Sequence, residues 1–200
     1  MRVLFATTNE GKLREIRQIL EGTGITVRSL KDAGIDVDVE ENGSTFLENA
    51  IIKAKAYRPY TDEVILADDS GLVIDCLGGE PGIYSARYMG RDTSYAEKNL
   101  NLIERVGDRE GSERSARFTC AIAASFPDGR ILTANEHMEG QIAYKPAGCG
   151  GFGYDPIFFL PEYGCTSAEL TAEQKNSISH RGKALRKMCE LLVNETPGRS

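Results

Sequence analysis

The stretch Val64-Ile65-Leu66-Ala67-Asp68-Asp69-Ser70-Gly71 constrains this chain more than any other. Four apolar residues read as a short buried strand, and Ser70-Gly71 reads as the turn that stops it or, since Leu72–Leu77 is another apolar run, as a bend between paired or continuous extended segments. Side chains alternate along a strand, so Asp68 and Asp69 can serve one site only where the backbone is already turning. Two bare carboxylates about 4 Å apart repel by roughly 4 kcal/mol at an effective dielectric near 20. A cation between them removes that cost, and Mg²⁺ suits the position because it takes a few carboxylate oxygens and keeps the rest of its shell for water and phosphates. The same residues also suit a solvated acidic turn in which one aspartate is a cap.

The rest of the 200 residues bounds the setting. This length fits one domain, or two lobes sharing a sheet, and buries a sizeable core. A net charge of −6 argues against a general binder of nucleic acid or of anionic membranes, yet leaves room for a small polyanion held by local cations and a metal. Five cysteines are widely spaced, odd in number and lack a C-x-x-C pair, a pattern of reduced thiols rather than of a disulfide frame or zinc site. Met1-Arg2 runs straight into a strand-like segment and no apolar run reaches membrane length, so a cytoplasmic protein is expected. With only His137 and His180, acid–base chemistry must lean on carboxylates, lysines or metal-bound water.

In chain order, Val3-Leu4-Phe5-Ala6 predicts a buried strand, and Thr7-Thr8-Asn9-Glu10-Gly11-Lys12 a polar loop before a helix marked by Leu13, Ile16, Ile19 and Leu20. The N-terminus of a helix offers free N–H groups to phosphate, although an ordinary helix cap would look the same, and the P-loop pattern is absent. Ile25–Leu30 predicts a second strand, and Ile35–Val39 an extended segment before the acidic Glu40-Glu41-Asn42-Gly43. Thr45 with Glu48 has the spacing of a capping box, opening a helix that carries Lys53. A helix over 94–106, a half-buried strand over 114–126 and a hairpin turn at 127–130 follow. The four-glycine segment Gly148 to Gly153 can bring backbone close to a ligand, with Phe152 and Tyr154 as flat faces for a base or sugar. Ser177 to Lys183 forms a cationic loop before the last helix, and 194–200 is expected to fray.

Six blocks together go further than composition. Thr7–Lys12, Glu40–Ala50, Leu66–Leu72, Pro81–Arg87, Gly150–Pro156 and Ser179–Gly182 occur in order across nearly the whole chain, which resembles the inosine triphosphatase family of XTP/dITP diphosphatases. The resemblance implies an α/β fold, a mixed elongated central sheet flanked by helices in a single domain of two lobes with a nucleotide cleft between them, and a homodimer. It implies Mg²⁺-dependent cleavage of a purine nucleoside triphosphate to monophosphate and pyrophosphate, with no nucleic acid or membrane partner. By that resemblance Thr7, Thr8, Asn9, Glu10, Gly11 and Lys12 hold the triphosphate, with Lys53 on the phosphate side. Glu41 and Asp69 bind Mg²⁺, Asp69 also accepts the proton of the attacking water, and Glu40 and Asp68 are secondary metal candidates. Ser70, Phe152, Gly153, Tyr154, Asp155, Lys175, His180 and Arg181 match substrate-binding positions.

Two other classes compete. A non-hydrolysing nucleotide sensor would not need Glu41, Lys53 and Asp69 together. A phosphotransferase with an aspartyl nucleophile at Asp68 or Asp69 lacks the D-x-D pattern.

Overall fold

Alternating apolar residues in the strands, buried on both faces, determine where the helices lie. The structure, a computed structural model, describes residues 1–195. Among these the strands are β1 (Arg2–Phe5), β2 (Thr26–Ser29), β3 (Val64–Ile74), β4 (Ser115–Ser125), β5 (Ile131–Ile142), β6 (Phe158–Leu160) and β7 (Cys165–Thr166). The helices are α1 (Glu10–Ile19), α2 (Phe46–Ala56), α3 (Tyr95–Val106), α4 (Ala172–Ile178) and α5 (His180–Glu195). The strands form one sheet in the order β2-β1-β3-β4-β5-β6-β7. β1 pairs in parallel with β2 and β3, whereas β6 is antiparallel to β5 and β7, so the sheet is mixed, as expected.

The described residues divide into two compact units, one of residues 1–69, 120–136 and 180–195, the other of 70–119 and 137–179. In the first unit, alternate residues feed two cores. Val3, Phe5, Leu66, Cys120 and Ile122 pack with Ile16 of α1 and with Leu185 and Met188 of α5. Leu4, Ile65, Ala67, Ala121 and Ala123 pack with Ala50 and Ala54 of α2. Each fully buried Leu, Ile or Phe adds about 1.5–3 kcal/mol by its removal from water. The second unit has one core, in which Leu72, Ile74, Phe118 and Phe158 meet Leu102 and Val106 of α3.

Several local expectations change. β3 does not stop at Ser70-Gly71 but continues unbroken to Ile74. Ile35–Val39, expected to be extended, joins no sheet ladder; Ile35, Val37 and Val39 pack against the α2 core. Thr45 caps α2 by accepting from the Glu48 N–H at 3.1 Å, but the Glu48 carboxylate accepts from the N–H and hydroxyl of Ser44 instead of from Thr45, because Ser44 offers two donors to one oxygen. α5 begins at His180, so His180 and Arg181 are in its first turn and not in a preceding loop. Asn194 and Glu195 are still helical, and the remainder of the segment expected to fray lies outside the described residues. No helix among the described residues is long and apolar enough to cross a membrane.

Candidate functional site

The unbroken β3 strand decides what the two aspartates do. Adjacent residues of a strand point to opposite faces, so Asp68 follows Leu66 toward α1 and α5, and Asp69 follows Ile65 and Ala67 toward α2. They stand on opposite faces of the strand, each with its own nearest side chains, and Lys12 and Lys53 act on both carboxylates.

Asp68 is 0% exposed and belongs to a cation cluster. Its Oδ2 lies 2.9 Å from Lys12 Nζ and 3.8 Å from Arg181 Nε, and Arg181 also donates from Nη1 to Glu15. Burial pushes the Asp68 carboxyl up, but Lys12, Arg181 and Lys53 outweigh it and hold it well below the usual carboxylate range. Lys12 reaches this position because the loop after β1 turns tightly: Thr7 Oγ1 accepts from the Asn9 N–H at 3.2 Å, and Asn9, the N-cap of α1, accepts from the Lys12 N–H at 3.0 Å. Cys120 is buried in the same unit, where desolvation and then Asp68 push its thiol up to about 12.

Asp69 is 6% exposed and faces α2. Asn49 Nδ2 donates to its Oδ2 at 3.0 Å, while Asn49 Oδ1 accepts from the Gly43 N–H at 2.8 Å, tying the acidic loop to the aspartate. Gly43 is required there: a Cβ would sit 2.7 Å from Asn49 Oδ1 and 2.8 Å from Glu48 Cβ. Lys53, one turn after Asn49 on the same face of α2, donates to the Asp68 carbonyl at 2.5 Å and pairs with Glu41 at 2.9 Å. Burial raises the Asp69 pKa, opposed by Lys53 and Lys12 and reinforced by Glu41. The Lys53 pKa is raised because Asp68, Asp69 and Glu41 together overcome its desolvation. Glu40 is exposed and forms no ion pair among the described residues.

A metal ion would find hard oxygen donors at Asp69 and Glu41. Among the described residues no three His, Cys, Asp or Glu side chains are close enough to enclose an ion, so these two suit a cation that completes its shell with water and phosphate oxygens.

In the second unit the glycine-rich loop winds around Asp155. The Asp155 carboxylate accepts from the Phe152 N–H at 2.8 Å, Ser167 Oγ at 2.8 Å and Lys175 Nζ at 2.6 Å. Gly151 and Gly153 both have φ of +68°, and a Cβ on Gly151 would run into that carboxylate. Lys175 Nζ also stands 5.1 Å from the Phe152 ring centre. Phe152 keeps a partly open face, but Tyr154 is buried: its ring meets Tyr95 edge-on at 5.2 Å and its hydroxyl donates to the Ser85 carbonyl at 2.6 Å. Tyr154 is therefore not an open platform for a base, since a buried phenol needs an acceptor and finds it inside the protein. Ser70 lies in β3, at the start of this unit.

Glu15, Asn49 and Ser167 were not singled out in the sequence. Glu15 interrupts an apolar helix face three residues after Lys12, and that spacing was a usable signal. Asn49 lies within the Glu40–Ala50 segment, but its bonds depend on packing against β3.

Comparisons with known proteins bear on the family and the fold. The model of the Ham1 family matches residues 3–191. The chain is 49% identical over 195 residues to the dITP/XTP pyrophosphatase of Desulforamulus reducens, covering 96% of each chain. It is 47% identical over 192 residues to the dITP/XTP pyrophosphatase of Bacillus subtilis, covering 94% of this chain and 96% of that one. A HAM1 protein structure from Coxiella burnetii superposes with a TM-score of 0.87 at 40% identity, covering 97% of this chain and 99% of that one. A family match over this span, with a sheet and helices that superpose on a solved member, means that the chain belongs to the Ham1 family.

Proposed function

We propose that this protein is a nucleoside triphosphate pyrophosphohydrolase that cleaves non-standard purine nucleotides (ITP, dITP and XTP) between the α and β phosphates, releasing the nucleoside monophosphate and pyrophosphate. The observation that carries this reading is the division of labour between neighbouring aspartates: Asp68 is bound to cations, while Asp69 is buried, oriented by Asn49 and raised in pKa. The names of the relatives supply the substrate class.

In this reading the Asp69 carboxylate takes the proton from the attacking water. Asn49 holds the carboxylate in one orientation. Glu41 and Asp69 would hold Mg²⁺, and Asp68 is assigned to the cation cluster instead. When bound, the ion lowers the pKa of water and offsets phosphate charge. Lys12, Lys53 and the Thr7–Lys12 loop at the N-terminus of α1 carry the triphosphate. The Phe152–Asp155 loop, Lys175, Ser70, His180 and Arg181 are assigned to the nucleoside side. Hypoxanthine and xanthine would be chosen by donors aimed at the 6-oxo group, because the 6-amino group of adenine leaves those donors unpaired. Guanine shares the 6-oxo group, so its rejection falls to the 2-amino position. The protein is assigned to the cytoplasm as a homodimer, which sedimentation would check by a mass of twice one chain.

The deciding experiment separates products from ITP, XTP, GTP and ATP with and without Mg²⁺. Mg²⁺-dependent IMP or XMP with pyrophosphate, ATP and GTP being spared, is the expected result. Release of single phosphate would overturn the reaction, and tight binding without turnover would make the protein a sensor.

A further inference from the structure

Two neighbours on α3, Lys98 and Asn99, are 1% and 3% exposed. Neither has the partners that would explain a buried polar side chain by charge pairing. Lys98 makes no ion pair among the described residues, and burial pulls its pKa down. Asn99 Oδ1 has no hydrogen-bond partner. Each does, however, donate to one backbone carbonyl. Asn99 Nδ2 donates to Gly153 at 3.1 Å, and Lys98 Nζ donates to Ala86 at 3.1 Å while lying 4.9 Å from the Tyr95 ring centre. Tyr95 in turn packs on Tyr154, whose hydroxyl holds the Ser85 carbonyl.

These contacts act where the backbone is least determined. Gly151 and Gly153 both sit at positive φ, and glycine imposes little preference on the peptide units beside it. No strand or helix ladder fixes the carbonyl of Gly153. Asn99 Nδ2 donates to the carbonyl of the Gly153–Tyr154 peptide in this orientation, and a flipped peptide loses that bond. A leucine in its place would avoid the unpartnered Oδ1 but would leave that peptide free.

We propose that Asn99 is a positioning residue for nucleobase recognition: by holding the Gly153 carbonyl it fixes one arrangement of donors and acceptors in the Phe152–Asp155 loop, and Lys98 does the same for the 85–86 segment bonded to Tyr154. This rests on the assignment of that loop to the nucleoside side under the proposed function. Asn99 touches no reacting atom, so its effect belongs in substrate affinity and selectivity rather than in the chemical step.

The test combines steady-state kinetics of Asn99→Ala and Asn99→Asp with hydrogen exchange of the 150–155 backbone in the nucleotide-free protein. For Asn99→Ala, the KM for ITP should rise about ten-fold while kcat changes little, the preference for ITP over ATP should fall, and the Phe152 and Asp155 amides, which donate to the Asp155 carboxylate and the Phe152 carbonyl, should exchange faster. Asn99→Asp keeps the shape but sets an acceptor against a carbonyl, so its KM should rise further. A wild-type KM, selectivity and exchange rate in Asn99→Ala would overturn the proposal. If the wild-type protein hydrolyses no ITP, the proposed function falls and exchange alone decides the positioning role: faster exchange supports it and unchanged exchange overturns it. Should both Asn99 variants fail to fold, Lys98→Met removes a disfavoured buried charge and is expected to fold. It should then show faster exchange at 85–87 and a raised KM, and the absence of both changes would likewise overturn the inference.

Discussion

Each unit buries an arginine, and the two are satisfied in opposite ways. Arg181 in the first unit is compensated by carboxylates, donating to Glu15 and lying 3.8 Å from Asp68. Arg114 in the second is 1% exposed and sends its hydrogen bonds only to backbone: it donates to the carbonyls of Ile142 at 2.6 Å, Gly107 at 2.8 Å, Arg109 at 3.0 Å and Ala143 at 3.0 Å, with its guanidinium 4.1 Å from the Tyr144 ring centre. A cation held by carboxylates belongs to a balance of charges that a polyanionic ligand can change. A cation held by carbonyls is a bracket for chain segments. The first unit concentrates the electrostatics of the proposed chemistry, and the second fixes backbone shape.

The largest test of this contrast is at the proposed base. Asp69→Asn should lower kcat by about a thousand-fold while nucleotide binding by calorimetry persists, because the proton acceptor and one carboxylate for Mg²⁺ are lost together while Lys12, Lys53 and the Thr7–Lys12 loop still hold the phosphates. Near-wild-type turnover would remove Asp69 from that role. Asp68→Ala should act on stability as well: leaving Lys12 and Arg181 without their shared carboxylate should cost about 3–5 kcal/mol in urea unfolding. An unchanged midpoint would mean that the cluster is not a compensated set. Arg114→Met should cost about 2–3 kcal/mol from four unpaired carbonyls, with little change in kcat of the folded fraction. A kcat collapse there would erase the distinction between the two units.

Much of this was legible in the sequence where local chemistry settles it. The strand, polar loop and helix at 3–20, the capped helix after Ser94 and the alternating strand at 115–125 follow from periodicity and caps. The central strand stays ambiguous in sequence because Ser70-Gly71 has the composition of a turn while Leu72–Leu77 is a further apolar run, and only pairing within the sheet selects the continuous strand. That one difference changed the reading of the site. A turn would have let Asp68 and Asp69 converge, whereas a strand sends them to opposite faces. Glu15 and Asn49 escaped notice because their partners are 166 and 20 residues away. Tyr154 looked like a platform because its ring is visible in sequence and its acceptor at Ser85 is not.

The smallest effect sharpens the contrast within β3 itself. Asp68 has a depressed pKa, so the stability it contributes is present above the unfolded value of about 4 and is lost as the pH falls through its folded value. For Asp69 the sign is opposite. Its pKa is raised, so the fold favours the neutral acid, and ionisation subtracts stability as the pH rises from about 4 through the raised value. Carbon-13 titration of the carboxyls in metal-free protein should therefore find adjacent aspartates on either side of the ordinary value. Asn49 donates to the ionised form of Asp69 and lowers its pKa. Asn49→Ala should move the Asp69 midpoint further up, leave Asp68 in place and reduce kcat/KM by about ten-fold through the loss of an orienting bond. If both midpoints moved together, the two faces of the strand would be one electrostatic site, and the separation of base from cation cluster would fail. If the Asp69 midpoint stayed put while activity fell, Asn49 would act by orientation alone.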